Sequence, residues 1–237
     1  MKRITDMATE LVTEVHSHGD GLSFDIDTRN GVKHTTTTIR TARAAKSIGK
    51  PIGTYHNFEL KSMDFDPDTV SAELAKHLSS LICSPARLLI VGLGNNRFVA
   101  DSLGPKTCEL IKTGDTLMTF APSVSGITGI PSTDAIAAIT KKVQPTHVLV
   151  VDSLCCHEQK RLGASFQLTN TGIQPGSGIT RNNQKLDEQF LGCPVIAIGV
   201  PMVISLPGAT YVVPKTIDAV VARCACAIAD AVNALGQ

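Results

Sequence analysis

The chain has 237 residues, 43% of them hydrophobic, with 22 basic against 21 acidic side chains and a formal net charge of +1. That length suffices for one large α/β domain with a real core, and the hydrophobic fraction argues against disorder. The near-neutral balance gives no electrostatic footing for nucleic acid or an anionic membrane, and no apolar run of about 18 residues predicts a membrane span.

The N-terminus, MKRITDMATELVTEV, lacks the apolar stretch of a signal peptide, so a cytoplasmic protein is expected. Seven cysteines with no CxxC pair predict free, mostly buried thiols rather than a disulfide frame or a zinc site. The seven histidines are scattered. His16 and His18 form the one close pair, with no third ligand nearby, so neither a metal site nor a cofactor is expected.

In chain order, GLSFDID alternates Leu22, Phe24 and Ile26 with polar neighbours, and HTTTTIR is rich in β-branched threonine. Asn30-Gly31 between these runs predicts a hairpin. Residues 41–49 predict a short helix closed by Gly49, and residues 53–60 another strand. Residues 1–63 thus read as a β-rich N-terminal part packed on a single α/β domain spanning 1–237.

From Asp64 the pattern alternates between helix and strand. DFDPDTVSAELAKHLSSLI predicts a helix starting near Pro67, with Val70, Leu74, Leu78 and Leu81 along one stripe. Leu88 to Val91 reads as a strand buried on both faces, and a helix from Ser102 to Lys112 follows with Leu103, Leu110 and Ile111 inward. Thr116 to Phe120 predicts a short strand, SGITGI a glycine-punctuated loop, and Ser132 to Val143 a helix carrying Ile136 and Ile139. THVLVVD is a second buried strand that ends on Asp152; Ser165 to Thr169 reads as an edge strand, and TGIQPGSGITRN as a loop. Pro194 to Val200 is a third buried strand, and Lys215 to Leu235 a closing helix. This order predicts a three-layer α/β fold of the phosphorylase/hydrolase-like kind, its mostly parallel central sheet covered by helices on both faces.

In such sheets chemistry collects at the carboxyl ends of strands. GLGNNR is not a dinucleotide loop, because Arg97 stands where GxGxxG needs its third glycine, and GxxxxGK[ST] does not occur. Two aspartates are better placed: Asp101 follows the first buried strand and Asp152 closes the second. Packed at one rim, two carboxylates cannot both ionise cheaply, so the pair can share a proton and activate water without a metal. Candidates for substrate or oxyanion contacts are Asn95, Gly126, Gly129, Gly176, Ser177 and Gly178 in the flanking loops. Cys155 and Cys156 beside His157 make a weaker nucleophile, since immediate sequence neighbours rarely aim at one another.

The segments GLGNNRFVADSLGP, APSVSGITGI, VVDSL and TNTGIQPGSGITRNNQKLDEQFLGCPVIAIGVP, with ITDMATE and IGKPIGTYHNFEL, resemble the germination protease (spore protease) family in the same order over nearly the whole chain. The resemblance implies an aspartic endopeptidase whose central sheet is similar to that of hydrogenase maturation endopeptidases, with Asp101 and Asp152 as the catalytic pair. It implies small acid-soluble spore proteins as substrate, degraded during germination in the spore core, a self-processing zymogen and a homo-oligomer. The chain departs from the family pattern at Val99-Ala100, where Thr-Pro is usual, and at Leu154-Cys155, where small residues are usual. It also lacks the family's N-terminal propeptide and longer C-terminal part, and so reads as a shortened or divergent member. Two alternatives remain open: a nickel-dependent maturation-type endopeptidase with His157 as third ligand, and a catalytically silent binding protein on the same scaffold.

Overall fold

The computed structural model describes residues 5–14, 21–175, 184–206 and 210–236. In chain order the elements are α1 (Ala8–Glu14), β1 (Leu22–Arg29), β2 (Val32–Ile39), α2 (Ala42–Ile48), β3 (Gly53–Glu59), α3 (Pro67–Leu81), β4 (Leu88–Gly92) and α4 (Leu103–Leu110). They continue with β5 (Leu117–Phe120), α5 (Ser125–Thr128), α6 (Ser132–Val143), β6 (His147–Cys156), β7 (Ser165–Thr169), α7 (Glu188–Leu191), β8 (Val195–Leu206), β9 (Thr210–Val212) and α8 (Ile217–Asn233).

One sheet runs in the order β1-β2-β3-β7-β8-β6-β4-β5, with β9 paired to β8. Helices cover both faces. On one, Ile90, Leu149, Val151, Ile196 and Ile198 pack with Val70, Leu74 and Leu78 of α3 and with the apolar side of α8. On the other, Leu89, Val91, Val148, Val150 and Ala197 meet Ile136 of α6. Adjacent residues of one strand divide between the two cores, as expected for strands that read as unbroken apolar runs.

The local signals act as anticipated. Asp66 accepts from Asp68 N–H to cap α3, whose first residue is Pro67, and Thr41 caps α2 through Ala44 N–H. The hairpin turns on Asn30 and Gly31, with φ of 51° and 78°, the left-handed pair that a two-residue connection requires.

The expected α/β fold is present, its central strands β5-β4-β6-β8 parallel and every pairing from β8 through β7 to β1 antiparallel. Four expectations need correcting. The N-terminal strands extend this same sheet instead of packing on it, because β3 pairs with β7. β7 is therefore an interior strand, buried throughout, and not an edge. A pairing between segments more than a hundred residues apart leaves no trace in local periodicity. The true edge on that side is β1, where Ile26 is 60% exposed. At the end of α4 the chain turns extended at Ile111, which takes the inward place while Leu110 stays exposed. Finally, the SGITGI loop contains the single helical turn of α5.

Candidate active site

β6 does not stop at Asp152 but continues to Cys156. What stops is its neighbour: the last residue of β4, Gly92, pairs with Val151, so Asp152 is the first position of β6 beyond that strand. On its other side β6 remains paired to β8, with Asp152 opposite Gly199. The carboxylate therefore stands at a notch in the sheet, and it is buried.

The chain leaving β4 folds back over this notch. Leu93 N–H donates to the Val151 carbonyl at 2.9 Å, and Asn95 N–H to the Asp101 carbonyl at 2.8 Å. Phe98 N–H returns to the Asn95 carbonyl at 3.0 Å, and Asp101 N–H to the Phe98 carbonyl at 2.8 Å. Asn95 Oδ1 accepts from Arg97 N–H at 2.9 Å. The result is a closed loop that ends in one 3₁₀ turn, Val99–Asp101, and presents Asp101 to the same cleft as Asp152. Gly94, at φ 120°, permits the fold-back: a Cβ there would overlap the Asp101 carbonyl oxygen. Gly104 similarly lets α4 lie directly on the backbone of Leu93.

A third carboxylate, Asp6, reaches the cleft from the segment before α1. Its N–H donates to the Cys155 carbonyl at 2.9 Å, and its Oδ2 accepts from Cys155 N–H at 3.0 Å. The Lys50 ammonium holds its carbonyl at 2.8 Å, and Ala8 N–H donates to Gln167 Oε1 at 2.7 Å. Glu10, one helical turn further, accepts from His157 and Glu158 N–H, both at 2.9 Å, and pairs with buried Arg161. Arg161 also bonds Glu59 of β3. α1 is thus anchored to the β6–β7 connection by charge-assisted bonds that fix Asp6 beside the pair.

The cleft has a volume of about 410 Å³. Besides the three aspartates it is lined by Phe98, by Ser123 and Ser125 near α5, and by Val203 and Tyr211 of β8 and β9. Burial pushes the Asp101 carboxyl up to about 6, against the hydrogen bond from Asn95 N–H that favours its charge. Asp152 lies well above the usual carboxylate range, first because it is buried, then because the charges of Asp101 and Asp6 face it. Both carboxyls are thus weaker acids than usual, and the charge of either one disfavours ionisation of the other.

The other candidates separate. Asn95 serves the loop that holds Asp101 and does not line the cleft. Gly129 N–H is taken by the Ser125 carbonyl at 2.8 Å, where it terminates α5, and Gly126 lies outside the cleft lining. Gly176, Ser177 and Gly178 lie outside the described residues. Burial pushes the Cys155 thiol up to about 12, and the Cys156 thiol is also raised, so neither is a ready thiolate. His157 Nδ1 meets the Ser205 carbonyl at 3.3 Å, and no histidine is among the described residues of the cleft. An aspartate-aspartate-histidine nickel set therefore does not fit here. Nothing in ITDMATE marks Asp6 as a neighbour of the pair; only the docking of α1 brings it in.

The family profile described as germination protease matches residues 3–231. The chain belongs to the germination protease family. The germination protease of Caldanaerobacter subterraneus subsp. tengcongensis is 34% identical over 226 residues, covering 84% of this chain and 68% of that protein. That of Clostridium perfringens is 34% identical over 227 residues, covering 84% and 70%, and that of Clostridium tetani 33% over 241 residues, covering 91% and 74%. Among solved structures, the [NiFe] hydrogenase maturation protease HycI from Thermococcus kodakarensis KOD1 aligns with a TM-score of 0.41 at 22% identity, over 65% of this chain and 97% of that one. As a member of the germination protease family the chain is a hydrolase, a protease of spore germination. Among the described residues no helix is long and apolar enough to cross a membrane.

Proposed function

We propose that the chain is an aspartic-type endopeptidase in which Asp101 and Asp152 activate water against a peptide bond. The observation that carries this reading is one cleft holding two carboxylates that burial makes weak acids, Asp101 pushed up to about 6 and Asp152 well above the usual carboxylate range with the charge of Asp101 facing it. Ionised Asp101 takes a proton from water as the oxygen adds to the scissile carbonyl carbon. Protonated Asp152 donates a hydrogen bond to the carbonyl oxygen and stabilises the charge that develops there. The proton gathered by Asp101 then passes to the departing amine, the C–N bond breaks, and both carboxyls return to their starting states. Asp6 keeps the proton on Asp152 by its charge and does not itself touch the reacting atoms.

The substrate is a polypeptide, and the apolar wall of Phe98, Val203 and Tyr211 suits an extended chain crossing the mouth of the cleft. Following the family resemblance, we take small acid-soluble spore proteins as that substrate, the spore core as the place of action and a homo-oligomer as the assembly. A mass-spectrometric digest of a panel of such proteins tests the reading. The unmodified chain should give discrete internal cleavages that persist in chelator, and Asp101→Asn and Asp152→Asn should give none. Full cleavage by both variants overturns the assignment; tight binding of intact substrate without products selects a silent scaffold.

A further inference from the structure

Three of the scattered histidines meet far from the cleft. His34 on β2 and His56 on β3 share a sheet face, since His34 is paired with Phe58 and Thr36 with His56. α3 crosses that face and adds His77. One ligand nitrogen from each of the three lies within 4.8 Å of the others.

The rings are held in place by what surrounds them. His34 stacks on Phe58 with centroids 4.6 Å apart and planes 6° from parallel, and His77 meets Phe58 edge-on at 5.0 Å. His77 Nδ1 is engaged by the Glu73 carbonyl at 2.8 Å, which fixes the ring and leaves Nε2 as the ligand atom. Such a second-sphere bond is how metal-ligating imidazoles are commonly oriented. His34 Nε2 and His56 Nδ1 stand 3.1 Å apart, and the Thr36 hydroxyl lies 3.3 Å from each. Beside them is a hollow of about 220 Å³ lined by Asp25, Asp27, Glu73, Arg29 and Lys76, carboxylates outnumbering cations.

We infer that His34, His56 and His77 form a binding site for a divalent late transition metal of the zinc class, which staples the N-terminal strands to α3. Three imidazoles suit Zn²⁺, Co²⁺ or Ni²⁺ and disfavour Mg²⁺ or Ca²⁺. Metal–nitrogen bonds of about 2.0–2.1 Å in a tetrahedron put ligand nitrogens about 3.4 Å apart. The His34–His56 separation is already close to that, and the widest pair has to draw in by at most about 1.4 Å, within reach of side-chain rotation. The fourth position falls to water, to the Thr36 hydroxyl or to a neighbouring carboxylate. β7 and β8 separate β3 from β6, so the site lies about 14 Å or more along the sheet from Asp152. It is a different site from the aspartate pair.

The experiment uses the full chain, stripped with chelator and then titrated with ZnCl₂ by calorimetry and with CoCl₂ by visible absorption. One equivalent of Zn²⁺ should bind stoichiometrically at micromolar protein and raise the melting temperature. Co²⁺ should give the intense ligand-field bands of a tetrahedral site. His56→Gln and His77→Gln should each weaken binding by at least about tenfold. His147→Gln, outside the cluster, and Asp152→Asn, in the cleft, should leave it unchanged. Absence of tetrahedral Co²⁺ bands in the unmodified chain overturns the inference whatever the variants do. So does binding that survives both histidine substitutions, or that is lost with Asp152.

Discussion

Replacing Asp101 by asparagine removes the carboxylate proposed to act as the base. Folding lifts this group from 3.8 to about 6, so between those values the native chain holds a proton that the unfolded chain has released. Wild-type stability must then fall as pH rises through that window, and asparagine, which does not titrate, escapes the loss. Without solvent screening the displacement corresponds to about 3 kcal/mol. The side chain is only half-buried, which reduces the expected effect to about 1–2 kcal/mol. Asp101→Asn should therefore be more stable than wild type by that amount at pH 7.5 and equal to it near pH 3.5, measured by urea unfolding at the two values. The loop is closed by the main-chain bond from Asn95 N–H to the Asp101 carbonyl, which the substitution leaves in place. Cleavage of a spore-protein substrate should meanwhile fall by about 10²–10⁴. The wild-type rate should rise with pH around 6 and decline only where Asp152 loses its proton. A variant that keeps full activity, or whose stability relative to wild type is the same at both pH values, would refute the assignment.

Asp6→Asn removes one of the charges that hold the proton on Asp152, so the alkaline limb of the rate profile should move to lower pH while the acid limb stays near 6; an unmoved alkaline limb contradicts the role given to Asp6. Gly94→Ala forces a side chain into φ 120° and against the Asp101 carbonyl, and should lower stability by about 2–4 kcal/mol in thermal unfolding and abolish cleavage. Arg161→Met leaves Glu10 and Glu59 without their shared cation and should cost about 3–5 kcal/mol. Proteolysis of that variant should begin near α1, and its kcat should drop as Asp6 loses its anchorage.

Local chemistry marked most of the elements in advance. The short unbroken apolar runs at Leu88–Val91 and Val148–Val151, rich in β-branched residues, favour strands covered on both faces, which removes all of those side chains from water. Pro67, Thr41 with Gly49, and Asn30-Gly31 act within a few residues of themselves, so their consequences are fixed before any tertiary contact forms. Asp101 and Asp152 stand out in the sequence for the same reason, each following a run of buried apolar residues.

Pairings between distant segments were not legible. Nothing in SFQLT announces that β3 will dock on it and make it interior, nor does local pattern show that β6 outruns β4 and so sets Asp152 in a notch. Asp6 and the three histidines are ordinary residues in their own stretches. Three histidines become a cluster, and Asp6 a neighbour of Asp152, only when β2, β3, α3 and α1 are brought against the sheet. By itself the sequence determined most of the longer strands and helices, which depend on burial and short-range backbone preference, and it drew attention to the two carboxylates that follow buried runs. The tertiary structure alone decided which charges face one another, because acidity and ligand geometry depend on distances of a few ångströms between segments that chain order does not relate.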